Sequence, residues 1–385
     1  MSVDAPFQAA GIRLASKPVK LREVRFEDYS QIVALTVKFH LEGESYQQWR
    51  HLWTENPTYQ EMDGRFPMGW VLEIPDGKIV GYLGNIPLSY ELEGKRLIVA
   101  TTRSWVVDTV YRSYSPLLLG TYFQQANVDL FLNTSVNSQA LLAYSTFQGV
   151  RVPTGSWNRS LFWVTNYRGF AESLLRKKGW IMAAPLSYPL SVSVLLRDQF
   201  RGSGFQGTKS TVRAVSEASF DERFDAFWAV LRNRKCNLLL AVRSRAVLEW
   251  HFKFALQQNA AWIYILEGSH GLTAYSVFLR QDNHEAGLAR VRLADFQCLE
   301  DEKAPTVLGA MLQAAVDRCR QESIHMLELI GLPPRLQREV ERASPHHRLL
   351  PSWLYFYKTN DRSLGLKLKN AAVWEPSLFD GDSTL

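Results

Sequence analysis

The run RLIVATTRSWVVDTVYRSYSPLLLGTYFQQANVDLFLNTSV, Arg96 to Val136, reads as strand, loop, helix and strand. Arg96 to Val110 is rich in β-branched and aromatic residues, the composition of a strand. Ser115 and Pro116 then supply a helix N-cap and a proline at the first helical position, where a missing N–H costs nothing. Leu119, Phe123, Ala126 and Leu130 follow at helical spacing and predict one apolar face. Val128 to Val136 returns to strand character. The loop holding Arg112 thus lies at a helix start, where backbone N–H groups and the positive end of the helix dipole suit a pyrophosphate.

Upstream, Trp70 to Pro75 and Lys78 to Leu92 are strand-like runs joined by Asp76-Gly77, and Glu93-Gly94 leads on into Arg96. Such pairs between apolar runs are hairpin signals, so an antiparallel meander precedes the helix. Val19 to Val24 predicts a further strand, and Phe26 to Asp28 predicts the start of a helix capped by Asp28. Downstream, Asn137, Ala140 and Tyr144 fall on one side of a predicted helix that Gly149 ends.

The second half repeats the pattern more weakly. Ala289 to Gln297 predicts a strand, Pro305 opens a helix, and Ile324 to Gly331 predicts the next strand. Pro116, Leu118, Leu119 and Gly120 align with Pro305, Val307, Leu308 and Gly309. Asp108 precedes the first proline and Asp295 the second. A period of roughly 190 residues is too long for a solenoid and suits duplicated domains. A chain of 385 residues also exceeds the size at which single cores stop growing.

The formal charge of +6 is concentrated: Arg151 to Glu217 holds ten basic and three acidic residues. The plain reading of that stretch is a solvated linker, the alternative a surface for phosphates, an anionic polymer or a membrane surface. Cys236, Cys298 and Cys319 are widely spaced, which argues against a disulfide framework or a zinc site and for a reducing compartment. The first twenty residues lack the apolar core of a secretory signal. Trp180 to Leu196 is apolar but interrupted by Pro185 and Pro189 and too short to span a bilayer, so it predicts a buried or extended interdomain segment.

Across about Leu21 to Trp157 the order and spacing resemble the GNAT superfamily of acyl-coenzyme A dependent acyltransferases. In that family a meander leads to a phosphate-cradling loop and helix, then to a strand and a helix bearing an Asn, Ala and Tyr series before a glycine. The resemblance implies an α/β fold (α+β mixed sheet) with two tandem GNAT-like domains. Their expected extents are a leader at 1–20, a first domain at 21–160, a basic bridge at 161–212, a second domain at 213–360 and a tail at 361–385. It implies acetyl-CoA or another acyl-CoA as cosubstrate, no metal, and a small-molecule or sugar acceptor, in the cytoplasm. Coenzyme contacts would come from Val107, Arg112, Ser113, Tyr114, Ser115, Leu117 and Leu118, and pantetheine contacts from Asn133 or Asn137. Tyr144, a phenol protonated at neutral pH, would protonate the leaving thiolate. Asp108, or else Glu73, would take the acceptor's proton. The family's loop glycines are absent here, since the run is Arg112, Ser113, Tyr114, Ser115, Pro116, Leu117.

The second copy carries Glu300, Asp301 and Glu302 where phosphate would sit, which predicts a domain that keeps the fold without the coenzyme site. One alternative keeps the fold but takes aminoacyl-tRNA as donor, with Arg176, Lys177 and Lys178 contacting the nucleic acid. Another is a non-catalytic binding module. Trp353 to Asn360 predicts a closing strand. Asp380, Gly381 and Asp382 predict an exposed turn, with cation binding the second choice.

Overall fold

The computed structural model describes residues 18–385 except 42, 156, 181, 201–214, 270 and 345. The leader and part of the basic stretch therefore lie outside the described residues. Fifteen strands are described: β1 (Lys20–Glu23), β2 (Gly69–Glu73), β3 (Ile79–Leu92), β4 (Lys95–Val107), β5 (Leu130–Val136), β6 (Val150–Arg151), β7 (Arg159–Val164), β8 (Val215–Glu217), β9 (Leu240–Ala241), β10 (Ala261–Gly268), β11 (Gly271–Arg280), β12 (Arg290–Cys298), β13 (Met326–Ile330), β14 (His346–Leu349) and β15 (Leu354–Lys358). The helices are α1 (Tyr29–Lys38), α2 (Tyr46–Thr54), α3 (Pro57–Glu61), α4 (Ser115–Phe123), α5 (Leu141–Thr146), α6 (Tyr167–Lys177), α7 (Ala183–Phe200), α8 (Glu222–Arg234), α9 (Arg245–Gln257), α10 (Ala304–Gln321), α11 (Pro334–Ala343) and α12 (Arg362–Leu368). The chain is a mixed α/β protein with two sheets.

Two compact units emerge. One comprises the described residues up to Arg50 with Pro67–Ile86 and Thr102–Gln125; the other comprises His51–Phe66, Pro87–Thr101 and the described residues of Ala126–Leu385. In the first unit β1, β2 and the start of β3 form the expected antiparallel meander, in register Lys20↔Glu73 and Val71↔Tyr82. The Asp76-Gly77 turn closes it, with Gly77 at φ 80°. Gly69 is required by close approach, because a Cβ there would lie 2.3 Å from the Leu83 carbonyl oxygen.

Two terminal details of this unit depart from expectation. A 3-10 turn, Phe26–Asp28, runs straight into α1, so Asp28 is already helical and makes no cap bond. Its carboxylate instead accepts from Arg22 (2.7 and 2.9 Å) and from the Arg25 N–H. Likewise a 3-10 turn, Thr109–Tyr114, runs into α4, making Tyr114 the cap residue and Ser115 the first helical one. The α4 helix stops at Phe123, so Ala126 and Leu130 of the predicted stripe lie beyond it, Leu130 in β5.

In the second unit Glu93 (φ 52°) and Gly94 (φ 73°) form a two-residue hairpin turn with both residues left-handed, as such turns demand. The first half of β4 runs parallel to β5, but only over Val99↔Leu130 to Thr101↔Leu132. The second sheet has the order β14-β7-β13-β12-β11-β10-β8, and its one parallel pair, β12 with β13, also spans three positions, Arg290↔Met326 to Arg292↔Glu328. Strand, helix and parallel strand therefore recur as the sequence repeat predicts. On α10, Val307, Leu308, Met311, Leu312, Ala315, Val316 and Cys319 are buried at helical spacing against Phe278, Leu293 and Leu329 of this sheet. A Leu312→Ala change in such a core costs about 3 kcal/mol.

The strand beside each parallel pair comes from the far part of the chain. Next to β5 lies β15, antiparallel, and next to β13 lies β7. The start of the expected basic bridge is thus a sheet strand, and the expected closing strand lies inside the first sheet, between β5 and β6, instead of in the second. Boundaries drawn at consecutive positions cannot follow such an exchange. Trp180 to Leu196 also differs from its reading: α7 covers most of it, and Trp180, Tyr188 and Val192 are more than half exposed. Pro185 falls in the first helical turn, and Pro189 forfeits one backbone bond. The turn expected to be exposed is instead buried at Asp380 and Gly381 and half-buried at Asp382, next to Trp374, Leu378 and Phe379, which with Asp380 are at most 4 % accessible.

Candidate active site

In the first unit the chain leaves β4 at Val107, which is buried, and turns through Asp108 into the 3-10 turn. The Asp108 N–H donates to the Val80 carbonyl at 2.7 Å, which fixes the aspartate at the strand end. Its carboxylate accepts from Lys38 Nζ at 2.7 Å. That hydrogen bond holds the Asp108 carboxyl below the usual range, against the opposing effect of partial burial. Asp108 is therefore a carboxylate at neutral pH, and accepting a proton requires its pair with Lys38 to open.

Arg112, Ser113 and Leu117 are exposed, Tyr114 and Ser115 half-buried, and Leu118 fully buried as the anchor of α4. The side chains named for coenzyme contact thus form a largely solvent-facing rim. The backbone from Asp108 to Leu118 contains no left-handed residue, so the tight helical turn takes the place of a glycine loop. One feature the sequence did not signal is Ser104, a non-glycine at φ 54° within β4. A residue held there costs roughly 1 to 3 kcal/mol and breaks the pleat just before the strand end.

Glu73, the second candidate base, accepts from Arg22 Nε at 2.5 Å, and Arg22 also holds Asp28. It belongs to an ion-paired triad at the β1 and β2 edge.

In the second unit Asn133 is buried on β5, opposite Phe356. Asn137 is exposed and precedes the helix; its side-chain oxygen accepts from the Ala140 N–H at 2.9 Å. Ala140 caps α5, so the Asn, Ala and Tyr series spans a turn plus a short helix, and Gly149 ends it by donating to the Tyr144 carbonyl. Tyr144 is 3 % exposed, its ring centroid 5.5 Å from that of Phe356.

The second unit also contains a buried charged centre of which sequence reading named only Asp295 and Asp380, the latter as part of an exposed turn. Arg243 forks onto Asp295 (2.8 and 3.0 Å), donates to the Ala241 carbonyl, and sits 4.9 Å above the Phe379 ring. Tyr275 donates to Asp295 at 2.7 Å. Burial alone would raise the Asp295 carboxyl, but Arg243 outweighs it and keeps the group ionised. Beside it, Asp380 accepts from Tyr90 (3.3 Å) and the Ser377 N–H (3.1 Å), and burial pushes its carboxyl up to about 7 against the pull of Arg243. A cluster spread over five separate segments leaves no local sequence signal.

Two of the three acids of the second loop are engaged in pairs: Asp301 with Arg335 and Lys235, Glu300 with Lys303. Among the described residues no group of three or more His, Cys, Asp or Glu is placed to hold a metal ion, and no helix is long and apolar enough to cross a membrane.

No family model matches the chain, and no curated protein does. Solved structures do. The chain is similar to Saccharomyces cerevisiae N-myristoyltransferase with bound myristoyl-CoA (TM-score 0.55, 10 % identity, covering 92 % of this chain and 83 % of that one). It is similar to a probable N-acyltransferase from Enterococcus faecalis (TM-score 0.52, 10 % identity, 89 % and 72 %). A GCN5-related N-acetyltransferase from Anabaena variabilis gives a TM-score of 0.50 at 10 % identity, covering 89 % and 73 %. Identities this low speak for fold and not for chemistry. In fold the chain is a divergent GNAT-like, two-domain protein.

Proposed function

We propose that the protein is an acyltransferase that uses an acyl-coenzyme A donor, with acetyl-CoA the first candidate, and passes the acyl group directly to an amine or hydroxyl of a small molecule or sugar in the cytoplasm. The observation that carries this reading is the passage from β4 through a helical turn into α4, with Arg112 exposed at the helix start, in a fold shared with N-acyltransferases. Helix N-termini and arginine both favour a pyrophosphate.

In this reading Arg112 and the backbone from Ser113 to Leu118 hold the pyrophosphate, Val107 lines its approach, and Asn133 or Asn137 meets the pantetheine arm. The acceptor nitrogen or oxygen attacks the thioester carbonyl, the carbon–sulfur bond breaks, Tyr144 protonates the thiolate, and Asp108 or Glu73 takes the acceptor's proton. The missing loop glycines call for a direct binding test.

Acetyl-CoA at millimolar concentration is expected to raise the melting temperature, and Arg112→Glu to abolish the rise. A thiol-release assay against pooled amines and sugars then reads turnover. No shift with acetyl-CoA or a longer acyl-CoA would sink the proposal and favour a non-catalytic module.

A further inference from the structure

A cavity of about 540 Å³ opens in the second unit, lined by parts of α6, α7, β7, β14 and the start of β12. Five Lys and Arg side chains, Lys177, Arg197, Arg290, Arg292 and Arg348, reach its walls, and among the described residues no carboxylate does. Arg290 and Arg292 share one face of β12 through the two-residue strand period. Behind them lies Glu328, fully buried, which accepts from Arg292 Nε at 2.9 Å, Arg290 Nη1 at 3.3 Å, Arg348 Nε at 3.1 Å and Ser160 Oγ at 2.6 Å. One carboxylate thus serves three guanidinium groups. Among the described residues no acid pairs with Lys177 or Arg197, while Asp198 pairs with His346 and Asp282 with Arg280.

So much positive charge in a partly enclosed space is unfavourable by itself. Burial, followed by the like charge of Arg292, presses the Arg290 guanidinium down to about 10. Apart from Ser173, Asn283 and His346, the remaining wall is apolar. Phe162 lies under Arg348 (5.7 Å) and Trp353 under Arg292 (5.2 Å), with Phe170, Leu174 and Val194 beside them.

We propose that this cavity binds a small molecule bearing a phosphoryl or pyrophosphoryl group on an apolar or aromatic body. Guanidinium forks match phosphate oxygens bidentately, and the anion supplies the charge that Glu328 alone does not. The volume is that of a small-ligand pocket and not of a groove tracking a polymer. The site lies on residues remote in sequence from Arg112 and does not depend on the donor reading. Two bodies share the chemistry, a nucleoside and an alkyl chain.

Calorimetric titration of the full chain with inorganic phosphate, ADP and octyl phosphate tests it. ADP or octyl phosphate is expected to bind at least tenfold more tightly than inorganic phosphate, and the tighter of the two identifies the body. Lys177→Gln with Arg197→Gln, neither of which holds a carboxylate, should weaken that binding at least fivefold at an unchanged melting temperature. Arg112→Glu should leave it intact. Equal affinity for all three probes, undiminished binding by the double variant, or loss on Arg112→Glu would overturn the proposal.

Discussion

The two strand–helix–strand repeats use their matching aspartates in opposite ways. At the end of β4, Asp108 pairs with Lys38, whose side chain is 57 % exposed. On β12, Asp295 is wholly buried, shared by Arg243 and Tyr275, with Phe379 of the tail over the guanidinium. The loops that follow differ in the same sense. The first presents Arg112 to solvent, whereas the second ties Asp301 to Lys235 and Arg335. A duplicated scaffold has kept one strand end as a polar rim and turned the other into a structural ion pair. Such a pair contributes little over an apolar substitute while intact, yet breaking it is costly because a charge stays buried alone.

The largest effect is therefore expected at Asp295. Asp295→Ala leaves Arg243 buried without its carboxylate and should cost about 3 to 5 kcal/mol, enough to unfold a marginal domain. Replacing both partners, Arg243→Met with Asp295→Leu, should recover much of that loss. Chemical denaturation of the three proteins gives the answer, and a single variant as stable as the parent would break the contrast between the repeats.

Asp380 gives the next effect, and its sign is opposite to that of a paired carboxylate. Its folded value of about 7 lies above the ordinary value near 4, so between these pH values the folded state holds a proton that the unfolded state has lost. Its contribution to stability should thus fall as pH rises from about 4 to 7, by at most about 1.4 kcal/mol per pH unit, and level off above. Asp380→Asn, which keeps one accepting oxygen for either Tyr90 or the Ser377 N–H and cannot ionise, should flatten that slope. An Asp380→Asn variant whose stability keeps the parent's slope through this window would refute the assignment.

How much of this was legible depends on whether the signal was local. The meander, both hairpin turns and the recurring strand, helix and strand follow from residues adjacent in sequence: Asp76-Gly77, Glu93-Gly94, Pro116 and Pro305. The exchange of β7 and β15 was not legible, because a strand's neighbour is chosen by tertiary packing and leaves no mark on its own composition. Nor was the burial of Asp380 in a polar-looking tail, where Arg243 and Tyr90 create the environment from distant segments. Arg290 and Arg292 carried a faint signal, two arginines two positions apart at the start of a strand. The rim residues Asp108 and Arg112 were legible because a strand end leading into a helix is itself a local pattern.

The smallest effect on stability, and the sharpest test of the first repeat, belongs to Lys38. The Lys38 to Asp108 pair is well exposed, so Lys38→Met should cost no more than about 0.5 kcal/mol at neutral pH. Because the partner's folded value is depressed, that small contribution is present above the ordinary carboxylate value and disappears as pH falls through the folded one. Catalysis reads the same pair differently. If Asp108 takes the acceptor's proton, freeing it from Lys38 lets its pKa rise, so the acid limb of the kcat/KM profile should move to higher pH. A carboxylate that only anchors the end of β4 would leave that limb where it was, with the same small loss of stability. An unmoved acid limb would remove Asp108 from the chemistry and leave Glu73, still held by Arg22, as the base to test next.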